Sequence, residues 1–174
     1  MKKYELTSER NDQDLYKIRA LIDIPSCGVK KGDIGGWIQS ETNLSHDGTC
    51  WVYENAQVSG YSRVYGHSQV SGYSRVSGYS RVYGHSMVYM NASANNSMVV
   101  SGNMILTKAI PTINRSDGYT FSLITDINGV PHISAGCRYF TIGEAWKHWK
   151  NTRSGTPLGK ETFKILKMLE ELSK

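Results

Sequence analysis

The stretch VSGYSRVYGHS at residues 58–68 recurs letter for letter at residues 76–86. It is the centre of a longer pattern in which Val52, Val58, Val64, Val70, Val76, Val82 and Val88 stand six residues apart. Four residues after each valine comes a small residue: Ala56, Ser62, Ser68, Ser74, Ser80, Ser86 and Ala92. Gly60, Gly66, Gly72, Gly78 and Gly84 follow five of these valines by two residues, so the unit reads V-x-G-x-S-x. A helix turns about 100° per residue and cannot keep every sixth residue on one side, whereas a strand places alternate residues on one face. In Ser62-Arg63-Val64 the outer residues therefore point inward and the arginine outward, and Gly66 supplies a sharp corner. Each hexapeptide is one side of a coil.

The exact repeat has an offset of eighteen residues, or three hexapeptides, which predicts a three-sided parallel β-helix. Equivalent residues then stack about 4.8 Å apart, with backbone hydrogen bonds joining the coils. Val64 is placed over Val82 and Ser62 over Ser80. Beyond Met90 the pattern decays: Ala94 and Val100 hold valine positions, but Met98 stands where a small residue is expected. About three coils result, and a solenoid this short requires caps, oligomerisation or both.

The flanks read as those caps. Residues 1–45 hold short apolar runs, KYEL, LYKIRALIDI and IGGWIQ, that predict a β-rich N-terminal cap, with Trp37, Leu44 and Trp51 covering the first coil. The β-helix is assigned to residues 46–110. In residues 111–174, YTFSLITD and VPHISAGC flank Ile127-Asn128-Gly129, which predicts a β-hairpin near 119–137. Thr141 and Glu144 form a capping box, so a helix should run from about Ile142 to Arg153 or Ser154. A second helix starts after Thr156-Pro157, with Leu158, Ile165, Leu166, Leu169 and Leu172 on one stripe. The fold class is mainly β, ending in a helical pair.

The formal charge of +5 favours anionic partners, although lysines of the last helix supply much of it. Cys27, Cys50 and Cys137 are an odd, widely spaced set, which argues against a disulfide framework and fits a reducing bacterial cytoplasm. No apolar run approaches the roughly 20 residues that a membrane-spanning helix needs, and the opening MKKYELTSERNDQ is unlike a signal peptide. Neither a GxxxxGK[ST] loop nor HExxH occurs, and Asp33, Asp47 and Asp117 are not spaced as a metal cage, so no metal is expected.

One side of the triangle carries a doubled set of side chains. Arg63 and Tyr65 point outward on one rung, Arg81 and Tyr83 on the next, with Tyr61 over Tyr79 at one corner and His67 over His85 at the other. Arginine forks bind phosphate or carboxylate in bidentate fashion and aromatic faces stack on bases, so the strip suits a nucleotide or an acidic peptide. Stacked identical residues also form plain exposed ladders, or a face buried against another protomer of a homotrimer. His67 and His85 are candidate general bases, although no acid is evidently placed to orient either ring. In the C-terminal region Arg138 beside Tyr139 is a further anion-binding candidate, and Trp146, His148 and Trp149 share one helix.

These coils resemble the hexapeptide-repeat family of left-handed β-helix proteins, many of them trimeric acyltransferases that use acyl-CoA and a general-base histidine. The resemblance implies left-handedness and, for an enzyme, His67 and His85 as catalytic residues with acyl-CoA as cosubstrate. Two features differ: glycine follows the aliphatic residue by two rather than one, and no long loop interrupts the coils. The whole chain resembles β-helix proteins of bacteriophages and prophages that join an opening like KKGDIGGWI (30–38), V-x-G-x-A/S-x coils, and an ending like GCRYFT (136–141), EAWKHW (144–149) and TPLGKETF (156–163). That likeness implies a non-enzymatic accessory protein without cofactor, which sequesters a host signalling nucleotide or blocks a host defence protein. A hexapeptide acyltransferase, a trimerisation or assembly module and a nucleic-acid binder stand as alternatives.

Overall fold

The computed structural model describes residues 1–94, 98–102, 104–106, 111–126, 128–136 and 138–174, so Cys137 and Ile127 lie outside the described residues. The chain divides into two compact units, Met1–Ala109 and Ile110–Lys174.

The first unit opens with β1 (Tyr4–Arg10), β2 (Tyr16–Ala20) and β3 (Ile34–Ile38), which pair antiparallel in that order. Ten short strands then climb the solenoid: β4 (Trp51–Val52), β5 (Gln57–Val58), β6 (Arg63–Val64), β7 (Gln69–Val70), β8 (Arg75–Val76), β9 (Arg81–Val82), β10 (Met87–Val88), β11 (Ser93–Ala94), β12 (Val99–Val100) and β13 (Met104–Leu106). They stack as three parallel faces, β3-β5-β8-β11, β6-β9-β12 and β4-β7-β10-β13. Arg63 pairs with Arg81 and Val64 with Val82, as the eighteen-residue period requires.

The solenoid has about four turns rather than three, because its first turn is built upstream of the valine register. Trp37 and Ile38 pair with Gln57 and Val58, and Leu44 bridges to Val64. Ile38 and Leu44 are therefore core residues of the first coil, and Trp37 and Trp51 are its outward positions instead of a separate cover. Both offsets are twenty residues, and the extra two lie between Leu44 and Trp51, where the amides of Thr49 and Cys50 both donate to the Gly66 carbonyl. That local bulge hid the first coil from a strict six-residue count.

The core is a column of valines flanked by serines. Every valine from Val52 to Val88 at the repeat position is no more than 1% exposed. Burying such a side chain contributes about 1.5–3 kcal/mol relative to leaving it in water. The serine hydroxyls are buried too, and four of them lie between two carbonyls. Ser68 Oγ is 2.9 Å from the Tyr65 oxygen and 3.1 Å from the Val82 oxygen of the next coil. Ser62, Ser74 and Ser86 repeat this geometry, whereas Ser80 Oγ is buried without a hydrogen-bond partner among the described residues.

The first coil is closed by the β1–β2 hairpin. Tyr4 hydroxyl donates to the Leu44 oxygen at 2.7 Å, and Lys3, 1% exposed, donates to the Cys50 oxygen at 2.8 Å. A buried ammonium is tolerable when its hydrogens are taken up by carbonyls in this way. Asn43 Nδ2 donates to the Gly60 and Ser62 oxygens, both at 2.9 Å, where a strand rung is missing.

The second unit is an antiparallel sheet in the order β14 (Thr112–Asn114), β15 (Thr120–Asp126), β16 (Pro131–Ala135) and β17 (Arg138–Thr141), followed by α1 (Ile142–Arg153) and α2 (Pro157–Leu172). The predicted hairpin is β15 and β16. Thr141 and Glu144 form the expected capping box on α1, and Thr156 caps α2. Phe121 and Ile133 of the sheet pack with Trp149 of α1 and Leu166 and Leu169 of α2. Leu172, predicted on the apolar stripe, is 57% exposed because it sits in the final turn of α2, past the core cluster. Trp146, three residues before Trp149 on the same helix, packs against this cluster as well, stacking on Phe163 and donating to Glu170 at 3.0 Å.

Two stability predictions follow from the corners and the serines. Gly66 has φ +73, and Glu54 and Met90 occupy the same corner position with φ 50 and 62, a region costly for side chains with a Cβ. Met90→Gly is expected to raise unfolding free energy by about 0.5–1 kcal/mol, the strain relieved less the extra freedom of unfolded glycine. Gly66→Ala should lower it by about 2 kcal/mol, since its Cβ would also meet Gly84 N at 3.2 Å. In the same denaturant titrations Ser68→Ala should cost about 1 kcal/mol, while Ser80→Ala, which removes an unsatisfied hydroxyl, should cost nothing or stabilise.

Candidate functional site

The β6-β9-β12 face is open to solvent, and at its first-coil end a groove of about 830 Å³ lies between the solenoid and the 3-10 turn Glu41–Asn43. Arg63 and Arg81 reach outward from consecutive rungs and line it, with Tyr61, Tyr65 and Tyr79. Neither guanidinium has a carboxylate partner among the described residues. Both arginines are exposed because the strand pattern turns every residue between serine and valine away from the core.

The repeat stacks the aromatic side chains into ladders. Tyr61 and Tyr79 have ring centroids 5.1 Å apart and planes 11° apart, and Tyr65 and Tyr83 are 4.8 Å and 8° apart. Tyr65 titrates above the ordinary tyrosine value, first because burial disfavours the phenolate and second because Tyr83 would repel it, while Arg81 and Arg63 act in the opposite direction.

His67 and His85 also stack, at 4.9 Å and 14°, but they do not line the groove. His67 Nδ1 lies 2.9 Å from Thr49 Oγ1, and no Asp or Glu pairs with either ring among the described residues. The structure thus gathers Tyr61, Arg63, Tyr65, Tyr79 and Arg81 at one groove, leaves Tyr83 beneath Tyr65, and sets His67 and His85 on a separate ladder. Arg138 belongs to the other unit, on β17.

The end wall of the groove was not read from the sequence. It comprises Glu41, Thr42, Leu44, Ser45 and His46. His46 stacks on Tyr4 at 4.3 Å, and its Nδ1 accepts the Lys3 amide at 3.2 Å, which leaves the ring hydrogen on Nε2. That Nε2 is buried without a hydrogen-bond partner among the described residues and lies 3.8 Å from Glu41 Oε2. Glu41 itself is held below the usual carboxylate range, chiefly by the hydrogen bond from Lys2 at 2.8 Å. The one local clue was Ser40-x-x-Asn43, whose reciprocal caps build the turn that carries this wall.

The groove therefore offers two guanidinium forks, aromatic faces and one carboxylate, with the His46 ring in its wall. Planar anions with a separate hydrogen-bond donor match that set. The chain matches no family model and no curated protein. No group of three or more His, Cys, Asp or Glu side chains is placed to hold a metal among the described residues.

If the guanidinium groups act on this face as their positions imply, Arg63→Ala with Arg81→Ala should push the Tyr65 titration further up, since both arginines favour its phenolate. Tyr83→Phe should bring it down. Tyrosine Cζ chemical shifts followed against pH in labelled protein measure both displacements.

Proposed function

We propose that this protein is a non-enzymatic binding protein whose solenoid groove holds a nucleotide. The observation that carries this reading is the pair of unpartnered arginines, Arg63 and Arg81, one rung apart between stacked tyrosines. Equivalent positions on neighbouring rungs lie about 4.8 Å apart, so two forks can share one phosphate or take adjacent ones. A two-ring ladder leaves the outer face of each ring uncovered by its partner, and a base can stack there. The Glu41 carboxylate can accept from a ribose hydroxyl or an exocyclic amine. The same chemistry would accept an acidic segment of a protein.

The phage and prophage likeness makes a host signalling nucleotide the natural cargo, and with it a role against host defence. We extend to this chain the left-handed coil of the hexapeptide-repeat proteins and their trimeric state. Tyr61, Tyr73 and Tyr79 are 75%, 70% and 65% exposed, which favours association of copies through the corners of the solenoid. Acyl transfer is the weaker reading, because His67 and His85 lack an orienting carboxylate and stand apart from the groove.

Isothermal titration against a panel of mono-, di- and cyclic nucleotides tests the proposal. A nucleotide that binds the parent protein should lose about a hundredfold or more in affinity on Arg63→Glu/Arg81→Glu, since each charge-assisted hydrogen bond is worth about 1.5–3 kcal/mol. Arg75→Glu, on the β3-β5-β8-β11 face, should leave binding unchanged. A panel without any binder, or a double variant that binds as tightly as the parent, overturns the reading. Retention of acyl-CoA with turnover lost in His67→Ala or His85→Ala would establish the transferase instead.

A further inference from the structure

The second unit carries a concavity of its own, about 500 Å³, between the β14–β15 turn, β17 and α1. Arg115, Asp117, Arg138, His148, Thr152 and Arg153 line it. Their charges are not equally available. The Arg115 side chain is 3% exposed and has its charge paired, donating to Asp117 Oδ1 at 2.9 Å, to Asp117 Oδ2 at 2.7 Å and to Thr162 Oγ1 at 2.9 Å. This pair neutralises itself and acts as a fixed wall. Arg138 and Arg153 are exposed and have no carboxylate partner among the described residues.

His148 completes the set. Its ring lies against Phe140 at 5.0 Å and edge-on to Trp149 at 5.1 Å, with no hydrogen bond to either ring nitrogen among the described residues. Burial first, and the positive charge of Arg138 second, pull its titration below the ordinary histidine value. Thr152 donates its hydroxyl proton to the His148 carbonyl at 2.9 Å, so its oxygen can only accept. Two free guanidinium groups, an imidazole and an acceptor hydroxyl thus converge on one cavity, with its one carboxylate already bound to Arg115.

We propose that this cavity is a second binding site, separate from the solenoid groove, for the phosphate group of a small phosphate monoester. Arg138 and Arg153 supply the forks for the phosphate oxygens, His148 donates a third hydrogen bond, and Thr152 accepts from a hydroxyl of the ligand. Bound dianion favours imidazolium, so binding takes up a proton at His148. The charged groups facing that ring are Arg138 from β17, Arg153 from its own helix, and Arg115 with Asp117 from the β14–β15 turn. The last two cancel, which leaves the two free arginines as the charges that a ligand must offset.

The probes are inorganic phosphate, glycerol 3-phosphate and sulfate, added to the full chain while the His148 ring resonances are followed by NMR. Sulfate stays dianionic across the titration, so any proton uptake it induces belongs to the protein. The expected results are saturable shifts at His148, an upward displacement of its titration by sulfate, and a sulfate affinity that strengthens as pH falls. Arg138→Gln and Arg153→Gln should each weaken binding about tenfold or more, with the rest of the spectrum unchanged. Arg63→Glu/Arg81→Glu should leave the His148 response intact, which separates this site from the groove. Tighter binding of glycerol 3-phosphate than of inorganic phosphate supports an ester ligand, and equal binding assigns the free ion. Absence of saturation at millimolar concentrations, or equal binding by both arginine variants and the parent, overturns the proposal.

Discussion

Each coil of the solenoid is held to the next by amides that donate straight up the axis: Arg63 N to the Ser80 oxygen at 2.9 Å, Tyr65 N to the Val82 oxygen at 3.0 Å and His67 N to the Gly84 oxygen at 2.9 Å. A strand of two residues makes few such bonds, so no single side of the triangle would be stable alone. What makes them sufficient is strict repetition. Each coil places a valine under a valine, and the corner residue must take a positive φ so that the chain can turn without lifting out of register. Serine can occupy the inner position because its hydroxyl finds carbonyls of its own corner and of the next coil. Alanine at 56 and 92 shows that small volume is the stricter requirement there.

That constraint also shapes the chemistry of the surface. Residues copied at the eighteen-residue offset become ladders whatever their function, so the Tyr, Arg and His columns are in part a consequence of duplication. A site needs something that repetition does not provide. It arises where the period fails, in the first coil, whose two extra residues after Leu44 fall in the segment that carries His46, next to the turn at Glu41–Asn43. The ladder contributes doubled cations and rings, and the irregular coil contributes a carboxylate, an imidazole and an end wall. The histidine ladder starts beside the Thr49–Cys50 bulge, but that bulge brings it one hydroxyl partner, Thr49, and no carboxylate among the described residues.

Legibility in the sequence follows the same division. The six- and eighteen-residue periods determine the faces, the inward and outward residues and the corners, because each depends on local geometry repeated in register. Capping chemistry made both ends of α1 and the start of α2 readable to within a residue, since Thr141, Glu144, Thr156 and Pro157 act on neighbouring backbone. The first coil was not readable, as Ile38 and Leu44 stand off the valine register and are recruited by pairing rather than by pattern. His46 and Glu41 were missed for a related reason. Their place in the groove depends on Tyr4, Lys3 and Lys2, some forty positions away in sequence, and no spacing rule encodes that contact.

Net charge alone could not tell which cations matter, and local partnering does. Lys2 is answered by Glu41 at 2.8 Å, at the surface, and the buried Arg115 by Asp117 at 2.7 Å, so these positive charges are locally offset and attract little from solution. Lys3 is buried against carbonyls and is structural for the same reason. Arg63 and Arg81 in the solenoid, and Arg138 and Arg153 in the C-terminal unit, have no such answer among the described residues, yet each pair borders a concavity. A cation on a convex surface is satisfied by water and mobile ions. In a concave site, field lines converge and hydration is restricted, so an uncompensated pair favours a bound anion. Within a chain of net charge +5, paired cations such as Arg115 are thus distinguished from Arg63 and Arg81 and from Arg138 and Arg153, which stand open at a cavity in each unit.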